Sequence, residues 1–465
     1  MNPNHRRAIA ALFFVLFLCY SFPSNASHSR GAEITYLHLA GNNYRLHLTF
    51  YRDCFGIPAP TVVSIQAVSI SCGITTSYPL FPIPGTGQTM THVCQTAFTN
   101  CDGGTEAGIE KWEYEADVLL QANCSDWVFS FSDCCRIGTT ISPNSPLYVE
   151  SMLNNLSSDN NSPQFTNDTE QFTCSNELYH YNNGMIDPDG DSIAYRLIAA
   201  IGATYLPGYS GQQPFVSVPP VTFDSITGDY IMHPTGFEIG PVAFQILDYR
   251  NGILMGSVIR ETSVTISPCV NHNPSATGMN GTSQQFDYVL PGDTICFDIL
   301  SDDTDAANTL TMTWNNSIPV ATFTTAGTPH PTGTFCWTPS VNDLRAQPYM
   351  FTATITDDNC PATAANVYSY YIFVTLDSSL ALSSTNASGE YSIFSIYPNP
   401  SDGIFVISTS EKFSGIQVYN HLGECILKKD FDVMVDLSDQ PGGIYFLEAI
   451  TADGKSSRQK IVKAD

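Results

Sequence analysis

Two acidic stretches hold the residues best suited to chemistry. Asp187, Asp189 and Asp191 alternate within Asp187-Pro188-Asp189-Gly190-Asp191, and Asp302, Asp303 and Asp305 crowd a second stretch. Carboxylates at alternate positions of a turn converge on one point. Hard oxygen ligands of this kind suit Ca²⁺, which extracellular modules hold with a Kd of about 10⁻⁴–10⁻³ M. An Asp-Pro-Asp-Gly stretch also makes a turn with no ion at all. Calcium is the one cofactor the sequence suggests, with those six aspartates as its ligands. The loop is not an EF-hand, because Ile198 stands twelfth from Asp187 where that motif needs a glutamate.

Catalytic signatures are missing. There is no His-Glu-x-x-His, no phosphate-binding glycine loop and no Gly-x-Ser-x-Gly; Gly208-Tyr209-Ser210-Gly211 falls short of the last. A pair of glycosidase carboxylates needs only spatial proximity, so a secreted hydrolase stays open as a lesser alternative. The expectation is a protein that is not an enzyme. Trp112, Trp127 and Trp337 sit in strand-like runs and read as core. The 23 tyrosines and 27 phenylalanines include enough aromatic surface for a glycan-binding platform, which is the first alternative function.

Cysteines place the chain in an oxidising compartment. Setting Cys19 and Cys425 aside leaves twelve: Cys54, Cys72, Cys94, Cys101, Cys124, Cys134, Cys135, Cys174, Cys269, Cys296, Cys336 and Cys360. The number is even, no Cys-x₂-Cys pair occurs, and no two histidines stand at ligand spacing. This describes a disulfide framework of underivable connectivity. Adjacent Cys134 and Cys135 are expected to tie to different strands, since neighbours do not easily bond to each other.

The elements that must position these residues are strands. Gly, Pro, Thr, Ser, Tyr, Phe, Val and Ile are abundant, and no helical period outlasts two turns in the mature chain. Residues 33–39 and 44–51 alternate about a turn at Gly41-Asn42-Asn43 and read as a hairpin. A second strand pair is expected at 112–120 and 127–131, and a third around Phe244 and Val258. The fold class is all-β: tandem β-sandwich modules with a small C-terminal β-sandwich.

Charge sharpens the division. Between Ser27 and Tyr391 there is one lysine, Lys111, and eight arginines against 34 acids, whereas the tail from 392 holds seven basic residues. So acidic a body repels phosphate backbones, which excludes nucleic acid as a partner. Arg6 and Arg7, the apolar run Ala8 to Tyr20 and the small residues of Ser24-Asn25-Ala26 make a signal peptide, too short for a membrane span. Leu18 is too bulky before Cys19 for a lipoprotein site. No later stretch is long and apolar enough to span a membrane. The expected organisation is a signal peptide (1–26), an N-terminal Cys-rich β module (27–171), two sandwich modules (172–268 and 269–376), a linker (377–391) and a terminal β domain (392–465).

The last segment carries a resemblance along its whole length. Tyr397, Pro398, Asn399 and Pro400, then Gly403, Asp436-Leu437-Ser438, Gly443-Ile444-Tyr445 and the final Lys460-Ile461-Val462-Lys463 are similar to the type A C-terminal sorting domain of the Bacteroidetes type IX secretion system. The resemblance implies export by that machinery, and a secreted or outer-membrane-surface location. The Asp187–Ser192 stretch and Gly333-Thr334-Phe335-Cys336-Trp337-Thr338-Pro339 resemble cadherin-like, Ig-like modules of bacterial surface proteins. Gly31-Ala32-Glu33-Ile34-Thr35-Tyr36, Tyr51-Arg52-Asp53-Cys54 and Cys134-Cys135-Arg136 resemble a module found at the start of large Bacteroidetes surface proteins. These likenesses imply adhesion, surface structure or recognition of an extracellular protein or glycan.

Overall fold

The protein is described by a computed structural model covering residues 29–90, 93–134, 136–137, 139–143, 145–169, 172–345, 347–376, 394–397, 401, 403–409, 413–420, 424–451 and 456–463. The signal peptide, the 377–391 linker, Cys135 and Pro398, Asn399 and Pro400 lie outside the described residues. Two compact units fall within 1–381 and 382–465. Apart from three single-turn 3₁₀ segments, the regular structure among the described residues is all strand. No helix there is long and apolar enough to cross a membrane.

Strands β1 (Ser29–Ala40) and β2 (Asn43–Asp53) form the expected hairpin, with His38 opposite Tyr44. Then come β3 (Val63–Ser69), β4 (Ile74–Pro82), β5 (Gln88–Met90), β6 (Ile109–Leu119), β7 (Trp127–Asp133) and β8 (Leu147–Leu153). Their order in the sheet is β1-β2-β6-β4-β3-β7-β8, with β5 added to β6. The expected pair at 112–120 and 127–131 is a correction: both runs are strands, β6 and β7, but the β3–β4 hairpin stands between them. Alternation shows which face of a strand is buried. It does not name the neighbour.

Short strands follow: β9 (Gln164–Phe165), β10 (Phe172–Cys174), β11 (Tyr179–Tyr181), β12 (Met185–Ile186), β13 (Ser192–Ile198), β14 (Thr222–Phe223) and β15 (Tyr230–Met232). They lead into a long hairpin, β16 (Glu238–Arg250) and β17 (Ile253–Ser267), which pairs Ile246 with Val258 as the sequence suggested. β17 lies on β16 along one edge. Its other edge takes β8 at Gly256–Val258, β1 at Arg260–Thr262 and β10 at Thr265–Ser267. The seven-strand sheet thus curls until both of its edges, β1 and β8, meet on β17. Closure removes two unpaired edges and encloses Ile34, Tyr36, Leu46, Leu48, Trp127 and Phe129, all fully buried.

One consequence is that segments 27–171 and 172–268, read as separate modules, share a single sheet. β17 is buried on both faces for most of its length. Successive side chains point to opposite faces, and both carry buried ion pairs: Arg260 with Glu33 at 2.8 Å on one, Glu261 with Arg136 on the other. A second core, with Tyr181, Tyr230, Phe244, Ile246 and Ile266, fills the space between β16–β17 and the short strands.

The third segment is a two-sheet sandwich. Its strands are β18 (Ser275–Ala276), β19 (Phe286–Val289), β20 (Ile295–Asp302), β21 (Thr311–Trp314), β22 (Thr322–Ala326), β23 (Thr332–Trp337), β24 (Tyr349–Thr356) and β25 (Ala365–Val374). The sheets run β18-β20-β23-β22 and β19-β25-β24-β21. That is the A-B-E-D and C-F-G order of immunoglobulin-like sandwiches, with β19 as an added strand parallel to β25. Phe335 stacks on Phe351 at 4.4 Å in its core, and Trp337 is buried as expected.

This sandwich is fastened to the first sheet. Cys94–Cys360 crosses between them, Cys174–Cys269 ties β10 to the connection that leads from β17 into the sandwich, His180 stacks on Tyr368 at 4.6 Å, and Val367 belongs to the second core. The remaining bridges are Cys54–Cys101, Cys72–Cys124 and Cys296–Cys336. Cys134 is disulfide-bonded as well. The five bridges use all ten of the other described candidates, so Cys134 ties to none of their strands, contrary to expectation. Cys425 is free and exposed.

The second unit is a smaller sandwich. β26 (Phe394–Tyr397), β27 (Ile404–Thr409), β28 (Phe413–Asn420), β29 (Cys425–Asp430), β30 (Met434–Asp436), β31 (Gly443–Thr451) and β32 (Ser456–Lys463) form sheets β26-β27-β30 and β29-β28-β31-β32. Phe405, Ile416, Val418, Val435, Leu447 and Ile461 fill its core.

Candidate functional site

The turn before β13 holds the first acidic stretch. Asp187 Oδ1 accepts the backbone N–H groups of Asp189 and Asp191, both at 2.9 Å, and Gly190 takes a positive φ of 78° to close the turn. Asp189 is not part of the carboxylate cluster that Asp187 and Asp191 form with Asp248. It accepts from Asn161 Nδ2 at 2.7 Å and from Arg250 at 3.0 Å. Asp191 is gripped by Arg250 through both oxygens, at 2.8 and 2.7 Å.

The third carboxylate is Asp248, near the end of β16. One oxygen each from Asp187, Asp191 and Asp248 lies within 4.8 Å of the others. Asp248 is fully buried; its Oδ2 accepts from Asn160 at 2.8 Å. Its Oδ1, like Asp187 Oδ2, is a buried oxygen with no hydrogen-bond partner among the described residues. Burial pushes the Asp248 carboxyl up to about 7 and that of Asp187 up to about 6. Two ionised carboxylates 4.8 Å apart repel by roughly 3–4 kcal/mol at an effective dielectric constant near 20. Arg250 balances only one of the four acids here.

Across the strand pair, Asp248 faces Gly256 of β17. A Cβ at Gly256 would fall 2.6 Å from Asp248 Oδ1 and 2.5 Å from the Tyr36 hydroxyl. Only glycine leaves this approach open. Sequence reasoning found Asp187 and Asp191 but not Asp248. Its one local signal is a carboxylate directly after the apolar pair Ile246-Leu247 of a strand-like run.

The second acidic stretch is arranged differently. Asp303 is buried and accepts from the Asp305 backbone and from Asn308 Nδ2, at 2.8 and 3.3 Å. Asp305 pairs with His272 at 2.9 Å, and exposed Asp302 lies 3.2 Å from His330. The three do not form a cluster of metal-competent atoms. Cys54, Cys101 and Glu110 do come together, but the two sulfurs are joined in a disulfide.

The tail motifs converge from distant positions. Gly403 O accepts from Leu437 N at 2.7 Å, and Gly403 (φ +134°) packs so closely that a Cβ would meet Ser438 Cα at 2.7 Å. Ser401 N donates to Val462 O at 3.0 Å. Gly443, Ile444 and Tyr445 pair with Lys463, Val462 and Ile461, placing Lys460 opposite Phe446. Asp436 closes β30 opposite Ile404. Thus Gly403, Asp436-Leu437-Ser438, Gly443-Ile444-Tyr445 and the final strand gather at one end of this sandwich.

Residues 395–464 match the family described as the secretion system C-terminal sorting domain. No curated protein matches the chain. Among solved structures, the tandem Ig repeats of Dlar share 10% identity over 46% of this chain and 98% of theirs, with a TM-score of 0.19. The titin Ig tandem shares 12% over 46% and 97%, at 0.15. The four N-terminal Ig domains of Dscam1 isoform 6.9 share 10% over 94% and 99%, at 0.17. Likenesses this weak carry no functional argument, and the Ig-like character rests on the strand order itself. The matched tail and its converged motifs make this a secreted or cell-surface protein that ends in a type IX secretion system sorting domain.

Proposed function

We propose that the protein is a non-catalytic surface component, working in adhesion or in building the cell's outer layer after export by the type IX machinery. The observation that supports this best is how the described parts of the body are fastened to one another. β17 seals the first sheet, Cys94–Cys360 holds the Ig-like sandwich to it, and Cys174–Cys269 pins the connection between them. Such a body transmits force and presents a fixed surface. The clustered carboxylates Asp187, Asp191 and Asp248 do not form an open substrate cleft, because Asp248 is covered.

The test uses the native host. Protease shaving of intact cells with peptide mapping should release peptides from 29–376. Deleting the gene should reduce attachment or aggregation. The full chain should restore it, and a chain lacking 395–464 should not. Body peptides confined to the periplasm, or turnover of polysaccharide or peptide substrates by the purified mature protein, would overturn the reading. A glycan array probed with the same protein separates a sugar ligand from a protein one.

A further inference from the structure

We propose that Asp187, Asp191 and Asp248 hold one calcium ion, which clamps the 187–191 turn and the 158–161 segment onto the β16–β17 hairpin. Three observations carry this. Oxygens sharing an ion at 2.3–2.6 Å lie no more than about 5 Å apart, and the three carboxylates meet that condition, with one oxygen of each within 4.8 Å of the others. One oxygen on each of two of these carboxylates, Asp187 Oδ2 and Oδ1 of fully buried Asp248, is buried with no hydrogen-bond partner among the described residues. Gly256 keeps the space beside Asp248 Oδ1 clear of a side chain.

The surroundings suit a hard cation. Two guanidiniums serve the four acids Asp187, Asp189, Asp191 and Asp248: Arg345 acts on Asp187 through space, and Arg250 bonds Asp189 and Asp191 and also reaches Asn160 Oδ1 at 3.0 Å and the Asp159 carbonyl at 2.8 Å. All the donors are carboxylate oxygens, two from the 187–191 turn and one from β16, an irregular set that favours Ca²⁺ over octahedral Mg²⁺. Asn160 bridges Asp248 to the Tyr36 hydroxyl, and Asn161 grips Asp189. An ion here fixes the 158–161 segment through the side chains that already hold it. The ligand set differs from the alternating aspartates of the sequence: Asp248 joins Asp187 and Asp191, which Arg250 also holds, whereas Asp189, bonded to Asn161 and Arg250, is not in the cluster.

The experiment uses the purified mature chain at neutral pH. Isothermal titration with CaCl₂ should give one site with a Kd near 10⁻⁴–10⁻³ M. At 10 mM calcium that favours the folded state by about 10–100-fold and raises Tm relative to chelator. Chelator should also expose the 158–161 segment to limited proteolysis. Asp248→Asn should weaken calcium at least tenfold, whereas Asp189→Asn and Asp302→Asn should leave it nearly unchanged. If Asp248→Asn fails to fold, Tb³⁺ luminescence of the wild type, displaced by Ca²⁺, reads the site directly. The proposal falls if the wild type binds no calcium and melts identically in calcium and chelator. It falls equally if Asp189→Asn abolishes binding while Asp248→Asn spares it.

Discussion

Replacing Arg260 with methionine probes how the first sheet is sealed. Arg260 is buried in β17; it donates to Glu33 on β1 at 2.8 Å and to the Asn167 carbonyl at 2.8 Å. It also approaches the Tyr181 hydroxyl at 3.2 Å and lies 3.7 Å from the Phe165 ring centroid. Arg260→Met leaves Glu33 as a buried, unbalanced charge. Breaking a buried pair this way costs about 3–5 kcal/mol. In a large domain each kcal/mol moves Tm by about 2 °C, so the loss is about 6–10 °C. Removing both partners, in Glu33→Met/Arg260→Met, removes the stranded charge as well, and is expected to recover most of the loss. Scanning calorimetry of the four proteins under non-reducing conditions completes the cycle. The reasoning fails if Arg260→Met costs less than about 1 kcal/mol, or if the two single losses simply add.

Three further outcomes follow from the same structure. Cys94→Ser/Cys360→Ser removes a bridge between the first sheet and the Ig-like sandwich and should cost about 2–4 kcal/mol; non-reducing peptide mapping checks the link, and calorimetry the loss. Gly403→Val combines positive-φ strain with overlap against Ser438, roughly 2–5 kcal/mol on a small domain, and immunoblots of cell fractions should show the extracellular share falling sharply. Hydrogen bonding to Asp305, with Glu177 nearby, raises His272 above its ordinary 6.5. Its contribution to stability is therefore complete below about pH 6.5 and lost as pH rises through the raised value; an NMR titration should find it returned toward 6.5 in Asp305→Asn.

Much of the local structure was legible. The β1–β2 hairpin, the β16–β17 pairing and the buried Trp127 and Trp337 all follow from alternation and turn chemistry. The pairing of the Trp112 and Trp127 runs was misjudged, because a hairpin earlier in the chain inserts between them. The acidic site was half legible. Asp187 and Asp191 share a turn, so their proximity is a property of five residues. Asp189 looks equivalent in sequence, yet it bonds Asn161 and Arg250 and stays outside the cluster that Asp248 joins. Asp302, Asp303 and Asp305 look like a repeat of the same motif, but each finds a separate hydrogen-bonding partner.

By itself the sequence determined the route, the compartment and the class of fold. These are written in short-range features: an apolar leader, an ordered series of tail motifs, an even set of cysteines and a period of two. The tertiary structure decided the rest. It set β1 and β8 together on β17, chose the disulfide partners, merged the two segments on either side of residue 171 into one sheet, and brought Asp248 to the 187–191 turn. The physical reason is common to all four. Each depends on strand edges and side chains far apart in the chain, and a strand's alternation fixes its buried face while leaving its partner open.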